Sequence, residues 1–156
     1  EIALVSSHLP WTPLPKIVAW EDVKNGDVFF EARHPRASTN LADSDQMRAN
    51  YAQAITYELK TLRSFITEVV KEDTVVIIIG DHQPVPVVSG NQASYDVPVH
   101  IIAGDPDLFD AIKDWRWTAG MTPGKTSPVW RMDAMRQQIL ESFTPGGAQA
   151  TVPIDP

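Results

Sequence analysis

The chain has 156 residues, of which 43% are hydrophobic and 21% charged, proportions typical of a globular domain with an apolar core. Its 13 Lys and Arg against 20 Asp and Glu give a formal charge of −7, which argues against a general attraction to nucleic acid or to an anionic membrane. The absence of Cys excludes disulfides, thiolate nucleophiles and Cys-ligated zinc.

The first forty residues predict little regular structure. Residues 2–5 form a short apolar run that predicts a buried strand, and Ser6, Ser7 and His8 follow it as a loop. Prolines scattered between residues 10 and 40 predict an irregular segment, in which residues 28–32 favour a short strand. Because the sequence starts inside a strand-like run and without Met, we expect it to be a piece of a longer protein.

The strongest helix signal follows. Apolar residues recur at intervals of three and four from residue 47 to residue 69, and Asp43 or Ser44 is placed to cap the helix that this period predicts. Aliphatic runs at residues 74–79 and 97–103 predict strands that are buried on both faces, as in a parallel sheet. A short helix over residues 107–113 and an amphipathic helix over residues 129–143 complete the pattern.

The order of these elements indicates an α/β fold in which helices flank the sheet. Residues 144–156 contain Pro and Gly without hydrophobic periodicity, and we expect them to form a flexible tail. The sequence therefore predicts one domain over residues 1–143 followed by a tail over residues 144–156.

Two candidate ligands stand at the end of the most apolar predicted strand. The run TVVIIIGDHQP places Gly80, Asp81 and His82 directly after that strand, where ligands gather in open α/β sheets. Asp offers a hard oxygen and His a borderline nitrogen, a combination that zinc or manganese accepts. The structural alternative is that Asp81 caps a turn and His82 is an ordinary surface histidine.

His8 is the second candidate. It lies in SSHLPWTPLP, where prolines and Trp11 stiffen the loop, as a positioned phosphate-binding group or metal ligand would require. The alternative is a histidine with no catalytic duty, which is the usual state of a lone histidine. The segment GMTPGKT at residues 120–126 is similar to a phosphate-binding loop, but it is one residue short between its glycines and follows no buried strand, so we predict a surface loop.

Three segments together carry a resemblance to a known family. SSHLPW, the predicted helix containing YAQAITYELKTLRSFI, and TVVIIIGDHQP occur in the same order as in the sulfatase-like branch of the alkaline phosphatase superfamily, which includes lipoteichoic acid synthases and phosphoethanolamine transferases. VPVHIIAGDP also resembles the strand that follows in these proteins. The resemblance covers about residues 1–143 and corresponds to the carboxyl-terminal part of the family's catalytic domain.

The resemblance implies a partial alkaline-phosphatase-like sheet with a metal at its edge. Asp81 and His82 would be metal ligands, and His8 would be a catalytic residue that contacts the transferred phosphate or sulfate group. The metal would be zinc or manganese, with calcium and magnesium as further options. The nucleophile, a Thr, Ser or modified Cys, and the remaining acidic ligand would lie in a missing amino-terminal half of the same domain.

The expected function is therefore that of one part of an enzyme. The parent would be a hydrolase of phosphate or sulfate esters or a phospho-group transferase, and the chain alone would be inactive and bind metal weakly or not at all. The resemblance also implies an extracytoplasmic location, with membrane contact only through a membrane-anchored parent. The alternative is a non-catalytic α/β binding module, or a degenerate relative, in which Asp81 and His82 only end a strand.

Overall fold

The computed structural model describes residues 1–31 and 43–144. These residues group into two compact units. The first unit comprises the described part of Glu1–Val70 together with Gln83–Ser94, and the second comprises Lys71–His82 together with the described part of Tyr95–Pro156. The single domain predicted over residues 1–143 stays a prediction. The predicted tail falls almost wholly on residues 145–156, which lie outside the described part.

The first unit is built around one long helix. Helix α3 spans Ser44–Glu68, as its hydrophobic period predicts, and follows two short helices, α1 at Trp20–Val23 and α2 at Val28–Glu31. The side chain of Asp43 accepts a hydrogen bond from the Gln46 backbone N–H and so caps α3, which confirms its predicted role.

A small core lies against α3. Trp11 is 2% exposed and packs with Met47 and Ala54 of the helix. The rings of Trp11 and Tyr51 also make a T-shaped contact, with their centroids 5.4 Å apart. The proline-containing loop at the start of the chain is therefore held on the helix by a buried aromatic side chain.

A fourth helix joins this unit from later in the chain. Helix α4 spans Pro86–Ser89 and packs against α3. The Arg48 Nε of α3 donates a 2.9 Å hydrogen bond to the carbonyl oxygen of Val87. This bond joins α4 to α3 through two residues that are 39 positions apart in the sequence.

The second unit contains a two-stranded antiparallel sheet. Strand β1 spans Val75–Ile79 and strand β2 spans Val99–Ala103, with Ile77 opposite Ile101 at the centre of the pair. Both strands lie where their aliphatic runs predict them, but the predicted parallel arrangement is wrong. The predicted burial on both faces is also wrong for β1, because Val75, Ile77 and Ile79 are 42%, 40% and 46% exposed. A continuous aliphatic run favours a parallel sheet, but it does not exclude an antiparallel pair.

The remainder of the second unit is helical and aromatic. A 3₁₀ helix spans Pro106–Trp115 where a short helix was predicted, and helix α5 spans Met132–Phe143. The buried ring of Trp115 lies 5.1 Å from that of Trp117 and 5.0 Å from that of Trp130, measured between centroids. Trp115 also donates from its indole N–H to Ser142 Oγ of α5 at 3.2 Å. This tryptophan cluster joins the 3₁₀ helix to α5.

Two predicted strands are wrong. Residues 2–5 form no strand, and Ile2 and Val5 are each 74% exposed, so this apolar run is not buried. Val28–Glu31 is a helical turn because Gly26, at φ +87°, reverses the chain and its carbonyl accepts from the Phe29 N–H at 3.0 Å. Residue 32, the end of the second predicted strand, lies outside the described part of the chain.

The described elements, helices together with a small antiparallel sheet, are consistent with the general α/β class.

Candidate functional site

Asp81 and His82 lie directly beyond the end of β1. The preceding residue, Gly80, extends the sheet by one bond, since its N–H donates to the Pro98 carbonyl oxygen at 3.0 Å. A Cβ at Gly80 would lie 3.2 Å from both Pro98 Cδ and Val97 Cβ, so a glycine suits this close approach. The sheet therefore holds the chain up to residue 80 and presents the next two side chains to solvent.

The Asp81 carboxylate makes two contacts with His82. One oxygen, Oδ1, accepts a 2.9 Å hydrogen bond from the His82 backbone N–H, a contact between adjacent residues and not the bond to the second residue on that defines an Asx turn. The other, Oδ2, lies 3.6 Å from His82 Nε2. The Asp81 side chain is 88% exposed and that of His82 is 71% exposed, so both remain accessible to a ligand.

The spacing of these two atoms suits a shared metal ion. Two ligands of a tetrahedral zinc ion, bonded at about 2.0–2.1 Å, lie roughly 3.4 Å from each other. The 3.6 Å between Asp81 Oδ2 and His82 Nε2 is close to that separation. One oxygen and one nitrogen ligand also match the preferences of zinc and manganese. The distance is therefore compatible with two ligands of one metal ion, and it is also that of a His–Asp ion pair.

The pair does not make a full shell within the described part of the chain. Among residues 1–31 and 43–144, no group of three or more His, Asp or Glu side chains is arranged around one point. A tight zinc site takes three or four protein ligands.

His8 lies in the first unit, in a loop that has its own internal bonds. Its backbone N–H donates to the Val5 carbonyl oxygen at 3.1 Å, and its ring Nδ1 lies 2.7 Å from the Leu9 carbonyl oxygen. A carbonyl oxygen can only accept, so Nδ1 carries the proton in this contact. The remaining nitrogen, Nε2, is then the ring atom that accepts a proton or, once protonated, donates to an anionic oxygen.

The structure brings Asp81 and His82 together in the second unit, while His8 belongs to the first. It also places a histidine of the VPVHIIAGDP run and the segment at residues 120–126. His100, in β2, is partly exposed and bonds through Nε2 to the Met121 carbonyl oxygen at 3.1 Å, as a structural histidine would. Residues 120–126 form a loop, as predicted, and follow no strand directly.

Glu58 is a residue that the sequence reasoning missed. Its Oε1 accepts a 2.8 Å hydrogen bond from the backbone N–H of Ser7, the residue before His8. A signal for it exists in the sequence, because Glu58 follows Ala54 by four residues and Tyr51 by seven and so shares their face of α3. A carboxylate on the apolar face of a helix needs a hydrogen-bond donor.

None of the helices in the described ranges combines the length and the apolar character needed to cross a membrane. Comparisons of the chain with protein-family models, with curated proteins and with solved structures gave no match. The resemblance to sulfatase-like proteins therefore depends on the sequence segments alone.

Proposed function

We propose that this chain is the carboxyl-terminal part of a sulfatase-like, metal-dependent enzyme that transfers phosphoryl or sulfuryl groups. The observation that carries the proposal is a pair of exposed atoms able to bind a metal, Asp81 Oδ2 and His82 Nε2, which lie 3.6 Å apart beyond the end of a strand. In this proposal Asp81 and His82 hold a divalent cation, zinc or manganese in the first place. The bound cation supplies a Lewis acid for a phosphoryl or sulfuryl oxygen.

The role proposed for His8 follows from its ring geometry. Because Nδ1 donates to Leu9, the proton that His8 exchanges with a substrate is the one at Nε2. A protonated Nε2 donates a charge-assisted hydrogen bond to an oxygen of the transferred group, or passes its proton to the leaving oxygen. The nucleophile and the remaining metal ligand come, in this proposal, from the amino-terminal half of the same domain.

The sheet supports the idea that a further part of the domain exists. Val75, Ile77 and Ile79 alternate along β1, so they share one face of the sheet, and they are 42%, 40% and 46% exposed. Two strands rarely form a stable sheet without something packed on an apolar face. We propose that the amino-terminal half of the parent covers this face.

The setting of the parent belongs to the same proposal. Its substrates would be phosphate or sulfate esters, and it would act outside the cytoplasm as a membrane-anchored protein. The −7 charge of this chain favours local recognition of an anionic substrate over general attraction. In hydrolysis the acceptor of the transferred group is water, and in transfer it is a second substrate. Which of the two the parent binds decides which reaction it catalyses.

Manganese binding tests the ligand pair on the chain itself. Because Mn²⁺ is paramagnetic, it broadens the NMR signals of nearby amides even when it binds weakly. We expect broadening centred on residues 80–83, lost in Asp81→Asn and in His82→Gln. The matched control is Asp73→Asn, which removes an exposed carboxylate near the opposite end of β1 and should leave the broadening unchanged.

Activity of the parent tests the reaction. With phosphodiester and aryl sulfate substrates, we expect Asp81→Asn and His82→Gln each to lower kcat/KM by at least about 100-fold, because the loss of even an indirect metal contact lowers activity by about 10- to 100-fold. Equal activity of the wild type and both variants would refute the ligand assignment.

The alternative function is a non-catalytic α/β module or a degenerate relative. The 3.6 Å contact between Asp81 Oδ2 and His82 Nε2 favours it, since two side chains that pair with each other need no metal to explain their position. This alternative predicts no Mn²⁺ broadening at residues 80–83 that depends on Asp81 or His82. Broadening that those two substitutions abolish would exclude it.

A further inference from the structure

Side chains hold both polar groups of the Ser7 backbone. The Ser7 N–H donates to Glu58 Oε1 at 2.8 Å, and the Ser7 carbonyl oxygen accepts from Trp11 Nε1 at 2.7 Å. A loop residue usually leaves these groups to water, because no helix or strand partner is present. Here both groups next to His8 are bonded within the protein.

The two side chains that make these bonds are themselves anchored on α3. Trp11 is 2% exposed, packs with Met47 and Ala54, and meets the ring of Tyr51 at a centroid distance of 5.4 Å. Glu58 belongs to the same helix, one turn beyond Ala54. One rigid helix therefore fixes the residue before His8 from two sides.

The carboxylate of Glu58 has this backbone N–H as its partner rather than a cation. Among the described residues, the ion pairs involve only Arg48 with Asp45, His82 with Asp81, and Arg131 with Asp133. A hydrogen bond to a charged acceptor is stronger than one between neutral groups. Glu58 thus makes one strong bond that links α3 to the backbone beside His8 over 51 positions of sequence.

We propose that Glu58 is a positioning residue for His8. Together with Trp11 it forms a clamp on the Ser7 peptide groups, and the clamp sets the direction in which His8 leaves the loop. The contact of His8 Nδ1 with Leu9 then fixes the ring, so that Nε2 is the nitrogen presented to substrate. The catalytic part of this inference rests on the function proposed for His8, whereas the clamp stands on the geometry alone.

Hydrogen exchange at the Ser7 amide tests the clamp without a catalytic assay. In Glu58→Ala we expect exchange to rise by about 10- to 100-fold, which corresponds to the loss of a hydrogen bond to a charged acceptor. Glu58→Gln keeps an oxygen at the same position and should restore most of the protection. ¹⁵N signals of the His8 ring should show Nδ1 protonated in the wild type and in Glu58→Gln, and a mixture of tautomers in Glu58→Ala.

Glu68→Ala is the matched control. Glu68 lies on the same helix and carries the same charge, but its carboxylate accepts from Ser64 Oγ at 2.8 Å and does not touch the loop. It should leave the Ser7 exchange rate and the His8 ring signals as in the wild type. Unchanged exchange and an unchanged His8 tautomer in Glu58→Ala would overturn the proposal, as would equal effects of Glu58→Ala and Glu68→Ala.

Kinetics of the parent enzyme separate the clamp from the catalytic role. A positioning role predicts that Glu58→Ala lowers kcat with little change in KM, and that Glu58→Gln recovers most of the loss. If Ser7 exchange rises as expected while both His8→Ala and Glu58→Ala leave kcat unchanged, the clamp is supported and the role proposed for His8 is overturned. If His8→Ala lowers kcat and Glu58→Ala does not, the positioning role is overturned and the proposed function survives.

Discussion

The two units support their candidate residues in different ways. In the first unit, a buried Trp11 and a carboxylate from α3 bond the residue next to His8. In the second unit, Asp81 and His82 contact each other at the end of a strand whose alternate side chains are about 40% exposed or more. A loop clamped by a buried side chain is organised before any ligand arrives, whereas an exposed pair of this kind can still be reoriented by the ligand that it meets.

The difference begins with the elements themselves. Helix α3 runs for 25 residues and offers one long face on which a loop can pack. Strands β1 and β2 have five residues each and form a sheet of two strands. Such a sheet has too little width to bury an apolar face by itself. We therefore expect the loop beside His8 to depend on a few buried contacts and the sheet of the second unit to depend on close backbone fits.

The largest expected effect is that of Trp11→Ala. Removing a buried aromatic side chain destabilises a protein by about 3–5 kcal/mol, and here the Ser7 carbonyl oxygen also loses its donor. Urea denaturation followed by the helical circular dichroism signal measures this loss. Trp11→Phe keeps most of the ring contact and should lose only about 1–2 kcal/mol. A loss below about 1 kcal/mol in Trp11→Ala would break the comparison, because the loop would then not depend on its anchor.

The next effect is that of Gly104→Ala in the second unit. A Cβ at Gly104 would lie 2.8 Å from the Glu72 carbonyl oxygen and 3.3 Å from Glu72 Cα, so backbone has to move. We expect a loss of about 1–3 kcal/mol, measured by hydrogen exchange of the β1 and β2 amides. Gly80→Ala serves for comparison, since its Cβ would meet side-chain atoms no closer than 3.2 Å. Gly104 contacts Glu72, which precedes β1, whereas Gly80 follows β1. An equal or larger loss in Gly80→Ala would show that the chain is packed as tightly after β1 as before it.

The smallest effect concerns the exposed pair formed by Arg131, which precedes α5, and Asp133 in the first turn of that helix. A guanidinium hydrogen bond from Arg131 lowers the pKa of Asp133 below its ordinary value of 3.8. Since the pKa is lowered on folding, the stabilisation is present above 3.8 and is lost as the pH falls through the lowered pKa. In Arg131→Gln we expect the pKa of Asp133 to rise toward 3.8, as followed by its carboxyl signal in an NMR titration. Lys125→Gln removes another exposed charge and should not move it.

The sequence predicts the elements better than their surroundings. Helix α3 and its Asp43 cap follow from local signals, because period and capping are properties of neighbouring residues. The strands at 75–79 and 99–103 follow from aliphatic runs, but their antiparallel pairing does not, since pairing direction depends on the path between them. Residues 2–5 show the limit of such runs, because an apolar stretch that finds no partner stays exposed.

The candidate site shows the same division. The adjacency of Asp81 and His82 is given by the sequence, yet the 3.6 Å between Oδ2 and Nε2 depends on the backbone and side-chain conformations that the two residues adopt after β1. Glu58 could not be connected with His8 from the sequence, because the bond to Ser7 spans 51 positions and exists only once the loop lies on α3. Long-range contacts of this type require the fold.

The interleaving of the units limits how the molecule can be divided. The peptide bond between His82 and Gln83 leads from the second unit back to the first, and the chain returns to the second after Ser94. A truncation after Val70 would thus remove α4, and with it the carbonyl that Arg48 of α3 binds. Neither unit is one continuous segment of the chain, so neither can be transferred to another protein by recombination or cloning of a single segment. We also expect insertions or deletions near residues 82–83 to change the stability of both units.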